Sequence, residues 1–134
     1  ADQIESVKAI TTIGTPSTLD HIRRVFSSKM SEIMGVGSAM VDVAGRDVEI
    51  GRAFVEDLSR YNIKRTLNGL DKPILIMHSP DDDMVGINHA TDIFMAARHP
   101  KSFISLDNVD HLIKNIKDAR YVGGLISAWA SRYI

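Results

Sequence analysis

Pro73-Ile74-Leu75-Ile76-Met77-His78-Ser79-Pro80-Asp81-Asp82-Asp83-Met84-Val85 is an apolar run that stops abruptly in acid. Ile74 to Met77 do not alternate with polar residues, as expected of a strand covered on both faces. A second short apolar run, Ser102 to Leu106, ends in Asp107-Asn108-Val109-Asp110-His111. In parallel sheets, functional groups gather beyond the carboxyl ends of the strands. Each of these runs therefore carries groups suited to proton chemistry at its tip: carboxylates at the first, a histidine at the second.

Working outward, Val7 to Gly14 is β-branched and short and reads as a strand, broken by Gly14-Thr15-Pro16. Ser17-Thr18-Leu19-Asp20 has the pattern of a capping box. Ile22, Val25, Phe26, Met30 and Ile33 then recur at helical spacing and predict one amphipathic helix, ended by Gly35-Val36-Gly37. Val41 and Val43 flank Asp42, and Val48 and Ile50 flank Glu49. A two-residue turn at Gly45-Arg46 would set Val43 opposite Val48 and Val41 opposite Ile50, with all four on one face of a β-hairpin. Phe54, Leu58 and Tyr61 suggest another helix, with Asn68-Gly69 closing the segment.

Ile87, Ala90, Ile93, Phe94 and Ala97 form a helical stripe that stops at His99-Pro100. Val122, Leu125, Ile126, Trp129 and Tyr133 predict a closing helix. Strands alternating with helices imply right-handed crossovers and a parallel sheet. The expected architecture is α/β, with three main strands and helices on the faces of the sheet. The stretch from Thr15 to Leu70 is longer than one crossover needs. It reads as an inserted helix–hairpin–helix, about 17–70, packed over the strand ends of a single domain spanning 1–134.

Bulk properties narrow the function. A chain of 134 residues with 44% hydrophobic content suits one globular domain with a real core. The net charge of −1, without a block of like charge, offers no electrostatic case for nucleic acid or an anionic membrane surface. No apolar run approaches the roughly 18 residues of a membrane span, and Ala1-Asp2-Gln3 does not open a signal peptide. With no cysteine, disulfides, thiolate catalysis and cysteine metal sites are excluded within these residues, and a reducing cytosol is the expected setting.

A histidine acting as general base needs a carboxylate on its other ring nitrogen, to fix the tautomer and stabilise the imidazolium. Loops after adjacent parallel strands lie side by side, so His111 can meet one of Asp81, Asp82 or Asp83. The acidic triplet also resembles half of a calcium loop, but Val85 occupies a ligand position and a strand precedes it. The other histidines read differently. His21 and His89 are expected on helix surfaces, His99 as a cap at a helix end, and His78 as a support for its loop. No histidine pair has zinc spacing, and no cofactor is implied. Neither Ser79 nor Ser38 stands in a Gly-x-Ser-x-Gly setting.

Together these residues resemble the carboxy-terminal half of an α/β-hydrolase domain. His78 to Val85 is similar to the family's loop after its seventh strand, where an Asp precedes a Val by three; here that is Asp82. Asp107 to His111 is similar to the loop after the eighth strand, which ends in the catalytic histidine; here that is His111. His99-Pro100-Lys101-Ser102-Phe103, Asp110-His111-Leu112 and Ala128 to Tyr133 resemble the bacterial hydrolase module found alone or fused to OsmC-like domains. Ser79 and Asn108 stand where many members have Gly, and Asn tolerates a left-handed backbone.

The resemblance implies a serine hydrolase of small ester or acyl substrates. It assigns Asp82 as the acid and His111 as the base. The family's Gly-x-Ser-x-Gly elbow precedes a strand like Val7 to Gly14 and is absent. The sequence thus reads as a fragment starting after its nucleophile, with Ala1-Asp2-Gln3 at the tail of the elbow helix. Alone it is expected to be inactive. An unpaired edge at its first strand implies a homodimer or a complementing N-terminal half. The alternative is a non-catalytic interaction module on the same scaffold.

Overall fold

The computed structural model describes residues 4–43 and 45–134, with His21 described by its backbone only. Ala1-Asp2-Gln3, and with it the expected elbow-helix tail, lies outside the described residues. In chain order the elements are β1 (Ile10–Ile13), α1 (Asp20–Val25), a 3-10 turn (Ser27–Lys29), α2 (Met30–Val36), β2 (Ser38–Val43) and β3 (Arg46–Gly51). They continue with α3 (Arg52–Arg60), α4 (Ile63–Asn68), β4 (Ile74–His78), α5 (Asn88–Ala96), β5 (Lys101–Ser105) and α6 (Ile116–Ala130). They form two compact units, one running up to Ser17 and resuming over Ile63–Ile134, the other Thr18–Asn62.

The first unit is a parallel sheet in the order β1-β4-β5. Every residue of β4 is buried, which explains the unbroken apolar run. Successive side chains point to opposite faces. Ile74 and Ile76 therefore join Leu67 of α4, Ala90 and Ile93 of α5, and Ala97 just past its end on one face. Leu75 and Met77 join Leu106, Val109 and Val122 of α6 on the other. Helices thus cover both faces, and the architecture is a partial α/β-hydrolase-type sheet. The α5 carboxyl end is capped not by His99, which is exposed, but by Lys101, whose Nζ donates to the carbonyls of Phe94 (2.7 Å) and Ala97 (3.0 Å). The start of α6 is capped by Asn115, whose Oδ1 accepts the Lys117 N–H at 2.9 Å.

The second unit has its own core of Phe26, Ile33, Ala39 and Val41. Here the structure corrects two expectations. The helix read as continuous from Ile22 to Ile33 breaks at Phe26, whose backbone (φ −112°, ψ 10°) is not helical. The change of direction buries Phe26 while its neighbour Val25 faces outward. The Ser27 hydroxyl donates back to the Arg24 carbonyl at 2.9 Å, a local bond that competes with helix continuation.

The hairpin exists, but its register differs by two residues: Val41 opposes Val48 and Val43 opposes Arg46. Gly45 lies in the turn between the strands at φ +79° and gives its N–H to Asp42 Oδ1 at 3.1 Å. A slip of two preserves the pleat, so the apolar residues still share a face.

Leu75 is 0% exposed at the centre of the sheet, whereas Met95 on α5 is 73% exposed. Leu75→Ala is expected to lower the unfolding free energy by about 2–5 kcal/mol in urea titrations. Met95→Ala is expected to change it by no more than about 0.5 kcal/mol.

Candidate active site

Three strand tips meet at one place. After β4 the chain turns at Ser79, whose Oγ accepts the Asp81 N–H (3.2 Å) and whose carbonyl accepts the Asp82 N–H (3.3 Å). That turn aims Asp82 inward. Its Oδ1 accepts the backbone N–H groups of Met84 (2.9 Å) and Val85 (2.8 Å). Its Oδ2 lies 2.7 Å from His111 Nδ1. Asp81 points elsewhere, its Oδ2 accepting the Asn108 N–H at 3.2 Å.

After β5, Asn108 takes a left-handed backbone (φ 59°). Asp110 then accepts the N–H groups of Leu112 (3.0 Å) and Lys114 (3.1 Å), locking the turn that carries His111. Ile113 also sits at φ 50°, a conformation that costs a β-branched residue about 1–3 kcal/mol. Packing against the Leu106, Val109 and Val122 cluster holds it there.

The side chain of Asp82 is 1% exposed and that of His111 is 22% exposed. Burial pushes the Asp82 carboxyl pKa up. The hydrogen bond from His111, the two amide bonds and the His111 charge push it down and prevail, so it lies below its ordinary value. An ionised carboxylate can only accept, so Nδ1 of His111 carries the proton. Nε2 is left to accept or deliver one at the partly open edge. The cleft beside it is lined by Ile13, Ser79, Leu106, Val109 and Asp110.

Gly14 is a part of this site that the sequence reading took only for a strand breaker. Its N–H extends the ladder to the Met77 carbonyl (3.1 Å), and its φ is +54°. A Cβ there would stand 3.1 Å from His111 Nδ1 and 3.2 Å from Asp82 Oδ2. The bare backbone of the β1 tip therefore covers the Asp82–His111 hydrogen bond. The available signal was a glycine directly after a strand.

A second Ser–His–Asp group corrects two further expectations. Ser17 does not cap α1. Its Oγ donates to Asp92 Oδ2 (3.0 Å) and lies 2.9 Å from His89 Nδ1, which also accepts the Ser17 N–H (3.2 Å). His89 is accordingly half-buried rather than a helix-surface residue. Asp92 is held below the ordinary carboxylate range by the Ser17 bond first, then by the bond from Lys64. Here serine and histidine are each fixed by the other, and Ser17 is buried. The group ties the segment after Gly14 to α5. The His21 side chain lies outside the described residues. Among the described residues no group of three or more His, Asp or Glu is placed to hold a metal ion, and no helix is long and apolar enough to cross a membrane.

Comparison with solved structures identifies the class of fold. An esterase domain from Rhodothermus marinus is 42% identical, with a TM-score of 0.77 over 98% of this chain and 54% of that one. Alpha/beta hydrolase domain-containing protein 10 from mouse is 16% identical, with a TM-score of 0.67 over 96% of this chain and 54% of that one. Est1E from Butyrivibrio proteoclasticus, solved with ferulic acid bound, is 11% identical, with a TM-score of 0.65 over 95% and 50%. The chain is thus similar to α/β-hydrolase and esterase domains and spans about half their length. No family model and no curated protein matches it.

Two outcomes test the site. Because folding lowers the Asp82 pKa, its contribution is present above the unfolded value of about 3.9 and is lost as pH falls through the folded value. Asp82→Asn should therefore cost about 1–3 kcal/mol near neutral pH. The difference from wild type should shrink as urea titrations are carried down toward pH 2. Gly14→Ala, strained at positive φ and tight against the dyad, should cost at least about 1–2 kcal/mol by the same titrations.

Proposed function

We propose that this chain supplies the acid and the base of a serine hydrolase acting on small ester or acyl substrates. The observation that carries the reading is the 2.7 Å contact between Asp82 Oδ2 and His111 Nδ1, with Oδ1 already held by two amides. The 42% identity to an esterase domain supports it. In the complete site a serine hydroxyl attacks the carbonyl carbon, and His111 Nε2 takes its proton. Asp82 stabilises the imidazolium, and the same nitrogen returns the proton to the leaving group.

The sequence holds no Gly-x-Ser-x-Gly elbow, so the nucleophile and the oxyanion donors come from outside these residues. Among the described residues β1 is an edge strand, which favours pairing with a complementing N-terminal half or a second copy. The absence of the elbow equally favours a second reading, a non-catalytic interaction module on the hydrolase scaffold. The motifs at His99 to Phe103 and Ala128 to Tyr133 support a bacterial hydrolase module of the kind that also occurs fused to OsmC-like domains. A cysteine-free chain suits a reducing cytosol, where we place it.

The purified chain should show no burst of p-nitrophenol from p-nitrophenyl acetate. Co-expression with the part of the 42% identical esterase domain that this chain does not cover should give a larger particle by light scattering, and hydrolysis should appear. His111→Ala should abolish that hydrolysis, and Asp82→Asn should lower kcat by about 10⁴-fold. A complex that forms without hydrolysis would favour the interaction module. A burst from the chain alone, lost in His111→Ala, would overturn the missing-nucleophile reading.

A further inference from the structure

Asp82 is aimed by a turn, and the turn is held by a residue outside the dyad. The Val85 N–H fixes Asp82 Oδ1 at 2.8 Å. The carbonyl of the same Val85 is 2.7 Å from Nε2 of His78. A carbonyl only accepts, so Nε2 carries a proton and donates it. His78 ends β4 on the sheet face of Ile74 and Ile76, and its side chain is 1% exposed. Its Nε2 also lies 3.6 Å from Asp82 Oδ2, the oxygen that faces His111. That is too long for a hydrogen bond, but it places the positive end of the N–H dipole near the carboxylate.

We propose that His78 is a positioning residue of this site: by gripping the Val85 carbonyl it sets the direction in which Asp82 presents Oδ2 to His111. The inference rests on the acid–base reading of Asp82 and His111. It goes further in assigning the aim of the carboxylate to a buried imidazole whose own hydrogen bond goes to Val85. The chain of contacts is short. The His78 N–H fixes the carbonyl on one side of the Val85 Cα, the Val85 N–H on the other side fixes Oδ1, and a carboxylate fixed at Oδ1 has one orientation left for Oδ2. Other groups facing the carboxylate are the Met84 amide and His111, with Asp110 farther along the cleft. Among the described residues, His78 is the side chain bonded to the Val85 carbonyl.

The test uses the full chain with labelled carboxylates and imidazoles, followed by NMR. Two quantities are read: the titration midpoint of the Asp82 carboxyl carbon and the exchange rate of the His111 Nδ1 proton. His78→Leu keeps bulk but removes the donor. It should raise the Asp82 midpoint by about one pH unit and speed His111 Nδ1–H exchange at least about tenfold. His78→Gln offers an amide N–H at a similar reach and should restore both. A folded His78→Leu chain with neither quantity changed would overturn the inference, as would a folded His78→Gln chain that behaves like His78→Leu.

Asp82→Asn separates the two levels. If His111 Nδ1–H exchange does not quicken there, the dyad itself is wrong. If it quickens while His78→Leu has no effect, only the role of His78 fails. Should His78→Leu not fold, the wild-type spectrum decides. An Nε2–H tautomer with a slowly exchanging proton supports the role, and an Nδ1–H tautomer sinks it.

Discussion

A carboxylate can be taken out of water only where other donors replace the hydration it loses. Asp82 meets that condition with two amides on one oxygen and an imidazole on the other. Much of the local chain shape follows from this. The loop after β4 must tighten within a few residues so that the Met84 and Val85 amides point back at the side chain. The loop after β5 must pass through a left-handed residue at Asn108 to bring His111 alongside. The tip of β1 must arrive without a side chain, since the space a Cβ would need is taken by the dyad. Each of these conformations is unfavourable or restrictive alone. Together they allow a buried charge to stay ionised beside a partly exposed histidine.

The molecule holds a control for this argument. Ser17, His89 and Asp92 are the same three residue types within hydrogen-bond distance of one another, at the amino-terminal end of α5. Yet the histidine nitrogen nearest the serine already accepts the Ser17 backbone N–H, and the hydroxyl proton is committed to Asp92. The inventory of side chains matches a hydrolytic triad, while the connectivity is that of a fastener. Function resides in which lone pair is left over.

That distinction bears on what the sequence could reveal. The parallel sheet was legible because β4 is an unbroken apolar run, and burial on two faces leaves no room for polar alternation. The helices α5 and α6 were legible from apolar stripes that now face the sheet. The meeting of strand tips followed from topology, so the placing of an Asp loop beside a His loop could be anticipated. What escaped was decided by competition among local bonds. Phe26 and Ser27 break a helix whose apolar spacing looked continuous. Gly45 lies in a turn that follows Val43, and the hairpin pairs Val43 with Arg46, two residues from the expected register. Ser17 has a capping pattern but bonds to groups far away in sequence. The short helix α4, with Ile63 and Leu67 as its apolar contacts, leaves too little periodicity to mark. The role of Gly14 depends on contacts with residues from other loops, and no spacing rule encodes it; His78, expected to support its own loop, does so through the Val85 carbonyl.

The cover over the dyad comes from the lightest member of the sheet. Among the described residues β1, four residues long, has a strand neighbour on one side only, and it leads directly into Gly14. Edge segments open more readily than the strands they lean on. Opening of this one would bring water to the Asp82–His111 pair and leave the interior around β4 packed. The Asp82–His111 hydrogen bond is therefore less protected than the core around β4, and its durability depends on whatever borders β1 on its outer side.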